Sequence, residues 1–166
     1  SKIILKDNGF ALNDMGCGYG ALLDFLNKRF SKISYCGIDI SSEMIQAASR
    51  RYEDMERVRF IKGSTPDSVA TYGIASGIFN VRLERTDEEW FKYLIGTLDI
   101  LSETSGEGFA FNCLTTYSDE DKKKKHLYYA DPSVIFGLCK KRYSKEVALL
   151  HDYGLYEFTI LVRKHL

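Results

Sequence analysis

The chain has 166 residues, and its 23 lysines and arginines balance its 23 aspartates and glutamates, so the net charge is zero. This length is enough for one domain with an ordinary core. The balanced charge provides no overall field to attract nucleic acid or an anionic membrane, and no run approaches the roughly 18 apolar residues of a membrane span. The four scattered cysteines form no C-x-x-C pair, which is typical of reduced, packed thiols. We therefore expect a cytoplasmic protein.

The first predicted unit is a strand over Phe10–Met15, a glycine-rich turn, and a helix over Ala21–Phe30. The predicted buried face of this helix carries Leu22, Phe25, Leu26 and Phe30. The turn reads DMGCGYG at residues 14–20. Closely spaced glycines at a strand end let backbone amides approach a ligand, because no Cβ stands in the way. Asn13 is predicted to be a buried amide that bonds to neighbouring loops.

The second unit places a carboxylate at the end of the next strand, predicted over Ile33–Ile40. Asp39 follows Gly20 by 19 residues, and a carboxylate in this position can accept hydrogen bonds from two vicinal ribose hydroxyls. Ser42 is the predicted N-cap of the following helix, which turns Met44, Ile45 and Ala48 inward. Together the two units indicate a nucleotide pocket.

The glycine spacing leaves two ligand classes open. Gly16, Gly18 and Ala21 satisfy the dinucleotide pattern G-x-G-x-x-G/A, which keeps an NAD-binding domain as an alternative. Asp14 favours the other class, because a carboxylate there would repel a pyrophosphate and attract an ammonium group. S-adenosylmethionine carries an ammonium and a sulfonium but no phosphate.

Strands and helices continue to alternate along the rest of the chain. Thr86 and Glu89 form a capping box for a helix, and Asp131-Pro132 opens another. The strands are predicted over Val58–Ile61, Tyr72–Ser76 and Phe109–Leu114. The predicted buried positions of the helix that begins after Thr86 are Trp90, Leu94, Leu98 and Leu101. Those of the helix that begins at Pro132 are Val134, Ile135, Leu138 and Cys139.

The last two strands are predicted to form a hairpin. Val147–Asp152 and Tyr156–Val162 are separated by too few residues for a crossover helix. They must therefore pair antiparallel.

The DMGCGYG run resembles the D-x-G-C-G-x-G signature of class I S-adenosylmethionine-dependent methyltransferases. Segments 75–81, 109–112, 127–132 and 151–159 look like a family of small, uncharacterised bacterial methyltransferases. The resemblance implies an α/β, Rossmann-like, doubly wound and mostly parallel seven-stranded sheet, closed by a C-terminal antiparallel hairpin. It further implies one domain over residues 1–166, with S-adenosyl-L-methionine as cofactor.

The resemblance also implies where the cofactor binds. Family members carry a segment before the first strand that folds over the cofactor, whereas only nine residues precede Phe10 here, so we expect this lid segment to be missing. The Gly-Asp pair that often follows the third strand reads Gly63-Ser64. The cofactor-binding residues implied are Asp14, Gly16, Cys17, Gly18, Tyr19, Gly20, Asp39, Ile40, Met44, Gly63, Ser64, Ser76, Gly77 and Ile78.

The methyl acceptor is predicted to bind at the C-terminal edge of the sheet, where ligands of open α/β folds lie. We expect Asn80, Tyr117, Tyr128 and His151 to contact it, with His151, Asn80 and Tyr117 as candidate catalytic residues. Tyrosines often serve only packing, and turn chemistry alone can explain the residues around His151.

Several acceptor classes are disfavoured by the sequence. Enzymes that methylate amino groups of DNA bases often carry an Asp or Asn-Pro-Pro-aromatic motif after the fourth strand, where this chain has Ser76-Gly77-Ile78-Phe79. The lysines at 122–125 follow three acids and are predicted to be a solvated surface. The histidines lack metal-ligand spacing, so no metal is expected.

The sequence therefore predicts a methyltransferase that acts on the oxygen or nitrogen of a small molecule. Two alternatives remain at this point. One is a non-catalytic module that binds S-adenosylmethionine or its demethylated product, S-adenosylhomocysteine. The other is an NAD-binding domain.

Overall fold

A computed structural model describes residues 2–4 and 9–164. Within them, α-helices and β-strands alternate, and seven strands form one continuous sheet in the order β3-β2-β1-β4-β5-β8-β7. The short strand β6 pairs only with β5. The elements are β1 (Phe10–Met15), α1 (Ala21–Asn27), β2 (Ile33–Asp39), α2 (Ser42–Arg51), β3 (Val58–Lys62), β4 (Ala70–Ala75), α3 (Asp87–Glu103), β5 (Ser105–Thr115), β6 (Tyr129–Ala130), α4 (Pro132–Arg142), β7 (Glu146–Leu150) and β8 (Glu157–Arg163).

The sheet gathers several chain segments at one edge. Strands β1 to β5 run parallel, so all of them end at this edge. Strand β8 runs antiparallel to both β5 and β7, and therefore begins there. The predicted hairpin and the mostly parallel seven-stranded sheet are confirmed. We call this border the carboxyl edge.

Each face of the sheet carries its own core. Helix α1 contributes Leu23 and Leu26 to one face, together with Tyr35, Tyr72 and Leu161. On the other face, α3 and α4 cover a second apolar cluster. We call the sheet face covered by helix α1 the α1 face. The lid segment predicted to be missing before β1 lies outside the described residues.

Three helix faces differ from the prediction, and on α2 it is Met44, predicted to face inward, that is 42% exposed. Phe25 was expected to be buried but is 44% exposed, and the Arg29 guanidinium lies 4.4 Å from its ring centroid. Val134 is also exposed, because Ile135 and Cys139, four residues apart, define the buried side of α4. All three errors come from assigning too wide an apolar stripe to the helix.

Some predicted boundaries also move. Helix α1 ends at Asn27 rather than Phe30. Ser41, not Ser42, caps α2, because its Oγ accepts the Met44 N–H at 3.2 Å. Strand β7 ends at Leu150, which leaves His151 in the hairpin loop.

The prediction for Asn13 is confirmed. Its side chain is buried, and Nδ2 donates to the Ser68 carbonyl at 2.9 Å and the Thr104 carbonyl at 3.3 Å. The amide therefore ties β1 to the segments that precede β4 and β5. No helix in the described ranges has the length and apolar character needed to cross a membrane.

Candidate functional site

A glycine turn links β1 to α1 at the carboxyl edge. The N–H groups of Gly16 and Cys17 both donate to the Ile38 carbonyl, at 2.8 and 3.1 Å. Gly16 has φ of 73°, and a Cβ at this position would lie 2.0 Å from Cγ2 of Ile78. Only glycine fits here without displacing the chain. The sequence thus brings the backbone of the turn directly against the segment that follows β4.

Asp39 holds this turn from the end of β2. One carboxylate oxygen accepts the Gly18 N–H at 2.9 Å, and the other accepts the Ser41 N–H at 2.9 Å. Each carboxylate oxygen has two lone-pair directions, so each can accept one more hydrogen bond. That arrangement suits a pair of vicinal hydroxyls. Asp39 also has a structural role, which reasoning from the sequence missed.

Asp14 lies beneath the turn rather than in an open cleft. Its side chain is buried, and it accepts a hydrogen bond from the Tyr35 hydroxyl at 2.5 Å. Burial raises the pKa of Asp14 to about 6, although the Tyr35 hydrogen bond opposes this rise. The structure therefore corrects the expectation that the Asp14 carboxylate is presented directly to a ligand.

A cavity of about 720 Å³ opens beside the glycine turn. It reaches from the ends of β1 and β2 to α3, and most of its exposed lining is apolar. Eight of the predicted cofactor-binding residues line it: Gly16, Asp39, Ile40, Gly63, Ser64, Ser76, Gly77 and Ile78.

The remaining six predicted cofactor-binding residues do not line this cavity. Their surroundings show why. Cys17 is buried behind Gly37, Tyr19 is half exposed near Arg51, and Met44 is 42% exposed. The other three are Asp14, which is buried, Gly18, which donates to Asp39, and Gly20, whose carbonyl accepts the Tyr52 hydroxyl.

Helix α3 supplies a wall that the sequence analysis did not assign to the cavity. Trp90 and Tyr93 pack together there, with ring centroids 4.7 Å apart. The Trp90 Nε1 donates to the Phe79 carbonyl at 2.8 Å, which fixes the ring beside the segment after β4. The sequence places Trp90 on the buried side of this helix and gives no separate indication for Tyr93.

The residues at the cavity fit a nucleoside. Asp39 offers two hydrogen-bond acceptors for a ribose, and the Ser64 hydroxyl can bond to a base edge. Ile40 and Ile78 supply apolar surface for a planar ring. Gly16 itself lines the cavity, so a ligand there can contact the backbone of the turn.

On the predicted acceptor side, Asn80 and Tyr128 come together. The Tyr128 N–H donates to the Asn80 carbonyl at 2.9 Å, and the Tyr128 side chain is buried. Burial raises the pKa of Tyr128 to about 12. The neighbouring Val81 lines the cavity, so this pair stands next to the cavity wall.

Tyr117 and His151 form a second pair. Their ring centroids are 6.0 Å apart, and Tyr117 is 74% exposed. His151 also lies 6.2 Å from the Phe158 ring. Neither Tyr117 nor His151 lines the 720 Å³ cavity. The structure therefore divides the predicted acceptor residues into two pairs rather than one rim.

Reasoning from the sequence missed Glu157. Its carboxylate accepts hydrogen bonds from Asn80 Nδ2 at 3.1 Å and from Asn112 Nδ2 at 2.7 Å. Asn112 is the one polar residue in the predicted strand Phe109–Leu114. Strand alternation could have placed Asn112 and Glu157 on one face, but their pairing depends on the register of β5 with β8. The described side chains include no group of three or more His, Cys, Asp or Glu that could hold a metal ion.

Comparisons with known proteins agree with this geometry. A methyltransferase domain family matches residues 13–94. Rv1506c of Mycobacterium tuberculosis, whose name assigns it provisionally to the methyltransferases, is 56% identical over 163 residues, or 98% of each chain.

Two solved structures share the fold. Human N-acetylserotonin methyltransferase, solved with S-adenosylmethionine, has a TM-score of 0.65 at 18% identity, over 95% of this chain and 48% of that one. The O-methyltransferase NcsB1 from neocarzinostatin biosynthesis was solved with S-adenosylmethionine and 2-hydroxy-5-methyl naphthoic acid. It has a TM-score of 0.66 at 16% identity, over 91% of this chain and 47% of that one. This chain spans about half the length of these two proteins.

The extended identity to the mycobacterial protein, the family match across the glycine turn and Asp39, and the shared fold all point the same way. The chain belongs to the methyltransferase family, and it shares its fold with methyltransferases solved with S-adenosylmethionine.

Proposed function

We propose that this protein transfers the methyl group of S-adenosylmethionine to an oxygen or nitrogen of a small molecule. The observation that carries the proposal is the pair of Asp39 oxygens beside the glycine turn, at the mouth of a 720 Å³ cavity. The proposal treats residues 1–166 as one methyltransferase domain. NcsB1, which shares the fold, supports a small-molecule acceptor through its bound naphthoic acid.

The chain's contribution to the reaction is chiefly orientation. S-adenosylmethionine, when bound, supplies an electrophilic methyl group on a sulfonium. Asp39 and the turn hold the nucleoside, while Ile78 and Trp90 give the cavity apolar walls that keep water out. Aligning a nucleophile for in-line attack can supply most of the rate acceleration.

The acceptor-side roles are part of the same proposal. Asn80, Tyr117, Tyr128 and His151 contact the acceptor, and His151 takes a proton from acceptors that must lose one. A general base of this kind contributes roughly 100-fold or more to the rate.

A second candidate is a non-catalytic module that binds S-adenosylmethionine or S-adenosylhomocysteine. One observation favours it: neither His126 nor His151, the two histidines that the structure describes, lines the cavity. Incubation with radiolabelled S-adenosylmethionine and a panel of small alcohols, phenols and amines separates the two candidates. Labelled product supports the enzyme, and tight binding without labelled product supports the module.

Isothermal titration calorimetry tests the cofactor assignment. We expect S-adenosylmethionine and S-adenosylhomocysteine to bind and NAD not to bind. Asp39→Asn should weaken S-adenosylmethionine binding by about 10- to 150-fold, which corresponds to the roughly 1.5–3 kcal/mol of a hydrogen bond to a charged group. Asp54→Asn, at an exposed position after α2, is the matched control and should bind normally.

Two results would contradict the proposal. The first is NAD binding without any response to S-adenosylmethionine. The second is unchanged affinity in an Asp39→Asn variant that retains the wild-type unfolding transition, since this would remove Asp39 from the ribose contact.

A further inference from the structure

Residues 76–78, which follow β4, form one wall of the 720 Å³ cavity. The segment belongs to no strand or helix, and Gly77 is exposed. On one side it packs against the glycine turn, because Ile78 takes the space that a Cβ of Gly16 would need. On the other side it is bonded to β5, where the Gly77 N–H donates to Asn112 Oδ1 at 2.7 Å. The Asn112 side chain therefore ties this cavity wall to the sheet.

Glu157 determines which way the Asn112 amide faces. Asn112 Nδ2 donates to Glu157 Oε2 at 2.7 Å, which leaves Oδ1 to face Gly77. A carboxylate can only accept and a backbone N–H can only donate, so a single orientation of the amide satisfies both neighbours. Both side chains project from the α1 face, and the register of β5 with β8 makes them diagonal neighbours. The pairing of these strands thus presents a fixed acceptor to Gly77.

Asn80 binds the same carboxylate through its other oxygen. Its Nδ2 donates to Glu157 Oε1 at 3.1 Å, and its Oδ1 accepts the Leu114 N–H at 3.2 Å. Each Glu157 oxygen therefore receives one amide. Among the residues that the structure describes, no lysine, arginine or histidine forms an ion pair with Glu157. The two asparagines are thus the side chains that hold this carboxylate in place.

In an inference that rests on the proposed cofactor site, we propose that Asn112 and Glu157 are positioning residues for S-adenosylmethionine. Asn112 holds the Gly77 backbone, and with it the wall against which the cofactor binds. Glu157 acts one step further away, because it selects the orientation of the Asn112 amide. Neither side chain lines the 720 Å³ cavity, so both act on cofactor affinity without touching the cofactor.

Asn112→Leu tests the first step. It removes the acceptor of the Gly77 N–H, and a leucine meets apolar neighbours there, because Asn112 also borders a mainly apolar cavity of about 250 Å³. Calorimetry should show S-adenosylhomocysteine binding weakened by about 2- to 10-fold, the range for one neutral hydrogen bond. In the nuclear magnetic resonance spectrum of the ligand-free protein, the Gly77 amide proton should move upfield, because its side-chain acceptor is gone.

Glu157→Gln tests the second step. The glutamine presents one acceptor and one donor to two amides that both donate, so one of these amides must turn. We expect Asn112 to turn, because water can replace it at the exposed Gly77, whereas the Leu114 N–H lies within the sheet. S-adenosylhomocysteine affinity and the Gly77 proton signal should then change as in Asn112→Leu.

A compensating substitution separates orientation from general damage. Asn112→Asp alone places two carboxylates side by side and should also weaken binding. In the double variant Asn112→Asp/Glu157→Gln, the new carboxylate accepts from both Gly77 and the glutamine, and the glutamine oxygen accepts from Asn80. Every hydrogen bond of the network is then restored with the same net charge. The double variant should therefore recover the wild-type affinity and the wild-type Gly77 signal.

The matched control is Glu53→Gln, at an exposed glutamate after α2, which should keep both the affinity and the Gly77 signal. Urea unfolding of each variant shows whether it is folded under the conditions of the binding measurement. If Asn112→Leu does not fold, the comparison of Glu157→Gln with the double variant decides.

The outcomes separate this inference from the proposed function. If the wild-type chain does not bind S-adenosylhomocysteine, the proposed function is wrong, and the network has no cofactor to position. If the wild type binds, unchanged affinity in folded Asn112→Leu overturns the positioning role alone. A double variant that binds as weakly as Glu157→Gln overturns it too, because restoring the hydrogen bonds would then have no effect on the cofactor.

Discussion

Gly16 must be glycine for two separate reasons. Its φ of 73° is a conformation that costs other residues about 1–2 kcal/mol, and its missing Cβ leaves room for Ile78. The backbone strain acts on folding, whereas the contact with Ile78 also acts on the segment that lines the cavity. A side chain here should therefore damage both stability and cofactor binding.

Gly16→Ala should lower the free energy of unfolding by more than the conformational cost of about 1–2 kcal/mol, because the new methyl group also displaces Ile78. S-adenosylmethionine affinity should fall as well. Urea denaturation and calorimetry measure the two effects. Gly137→Ala is the control: this glycine lies within α4 with nothing near its Cβ position, so alanine should raise stability by about 0.5–1 kcal/mol. Equal stability of the two variants would contradict the steric argument.

At the residue scale, the sequence predicted site residues where one short segment contained the whole motif. The DMGCGYG turn and Asp39 were found in this way, because glycine spacing and a strand-end acid are local patterns. The burial of Asp14 was missed because it depends on Tyr35 from the neighbouring strand. Glu157 was missed for the same reason, since it is 45 residues from Asn112.

Helix α3 is held at its start by a capping box. The Thr86 Oγ1 accepts the Glu89 N–H at 3.2 Å, and the Glu89 carboxylate accepts the Thr86 N–H at 2.9 Å. The first turn of the same helix carries Trp90, which forms part of the cavity wall. The cap therefore supports both the helix and the wall.

Thr86→Ala should destabilise the protein by about 1 kcal/mol, the usual cost of removing an N-cap side chain. Thr86→Ser keeps the hydroxyl and should retain most of the stability. Thermal and urea unfolding of both variants measure the difference. If alanine and serine at this position give the same free energy of unfolding, the cap contributes nothing and α3 depends on its packing alone.

At the element scale, local signals again predicted best. The capping box of α3 and the antiparallel hairpin follow from residues that are adjacent in the chain. The two-residue strand β6 was missed, because it exists only through its pairing with Leu114 and Thr115 of β5. Too many positions of α4 were predicted to face inward, because the sequence does not show how wide an apolar face of the helix the sheet will cover.

At the scale of the whole molecule, the stability depends on carboxylates with opposite environments. Arg59 holds the pKa of the exposed Asp67 down to about 2, so Asp67 contributes stability above its usual pKa and loses it as pH falls. Asp14 behaves oppositely, because burial raises its pKa from the usual 3.8 to about 6. Its contribution to stability is complete below pH 3.8 and is lost as pH rises through 6.

Asp14→Asn isolates this second contribution. An amide of the same shape can still accept from Tyr35 but carries no charge to bury. A pKa difference of about two corresponds to roughly 3 kcal/mol at about 1.4 kcal/mol for each pKa unit. Relative to Asp14→Asn, the wild-type chain should therefore lose up to about 3 kcal/mol of unfolding free energy between pH 4 and pH 7. Urea denaturation across this pH range measures the difference.

Subtracting the unfolding free energy of Asp14→Asn from that of the wild type removes the contributions of the other ionisable groups. Asp67 and its neighbours are the same in both proteins, so their contributions cancel. Asp54→Asn, at an exposed position, should give a flat difference from the wild type over the same range. A flat difference for Asp14→Asn as well would show that the Asp14 carboxylate is solvated, and a ligand could then reach it directly. A slope between about pH 4 and about pH 6 would instead place its charge beneath the turn, where an ammonium group acts on it only through the intervening backbone.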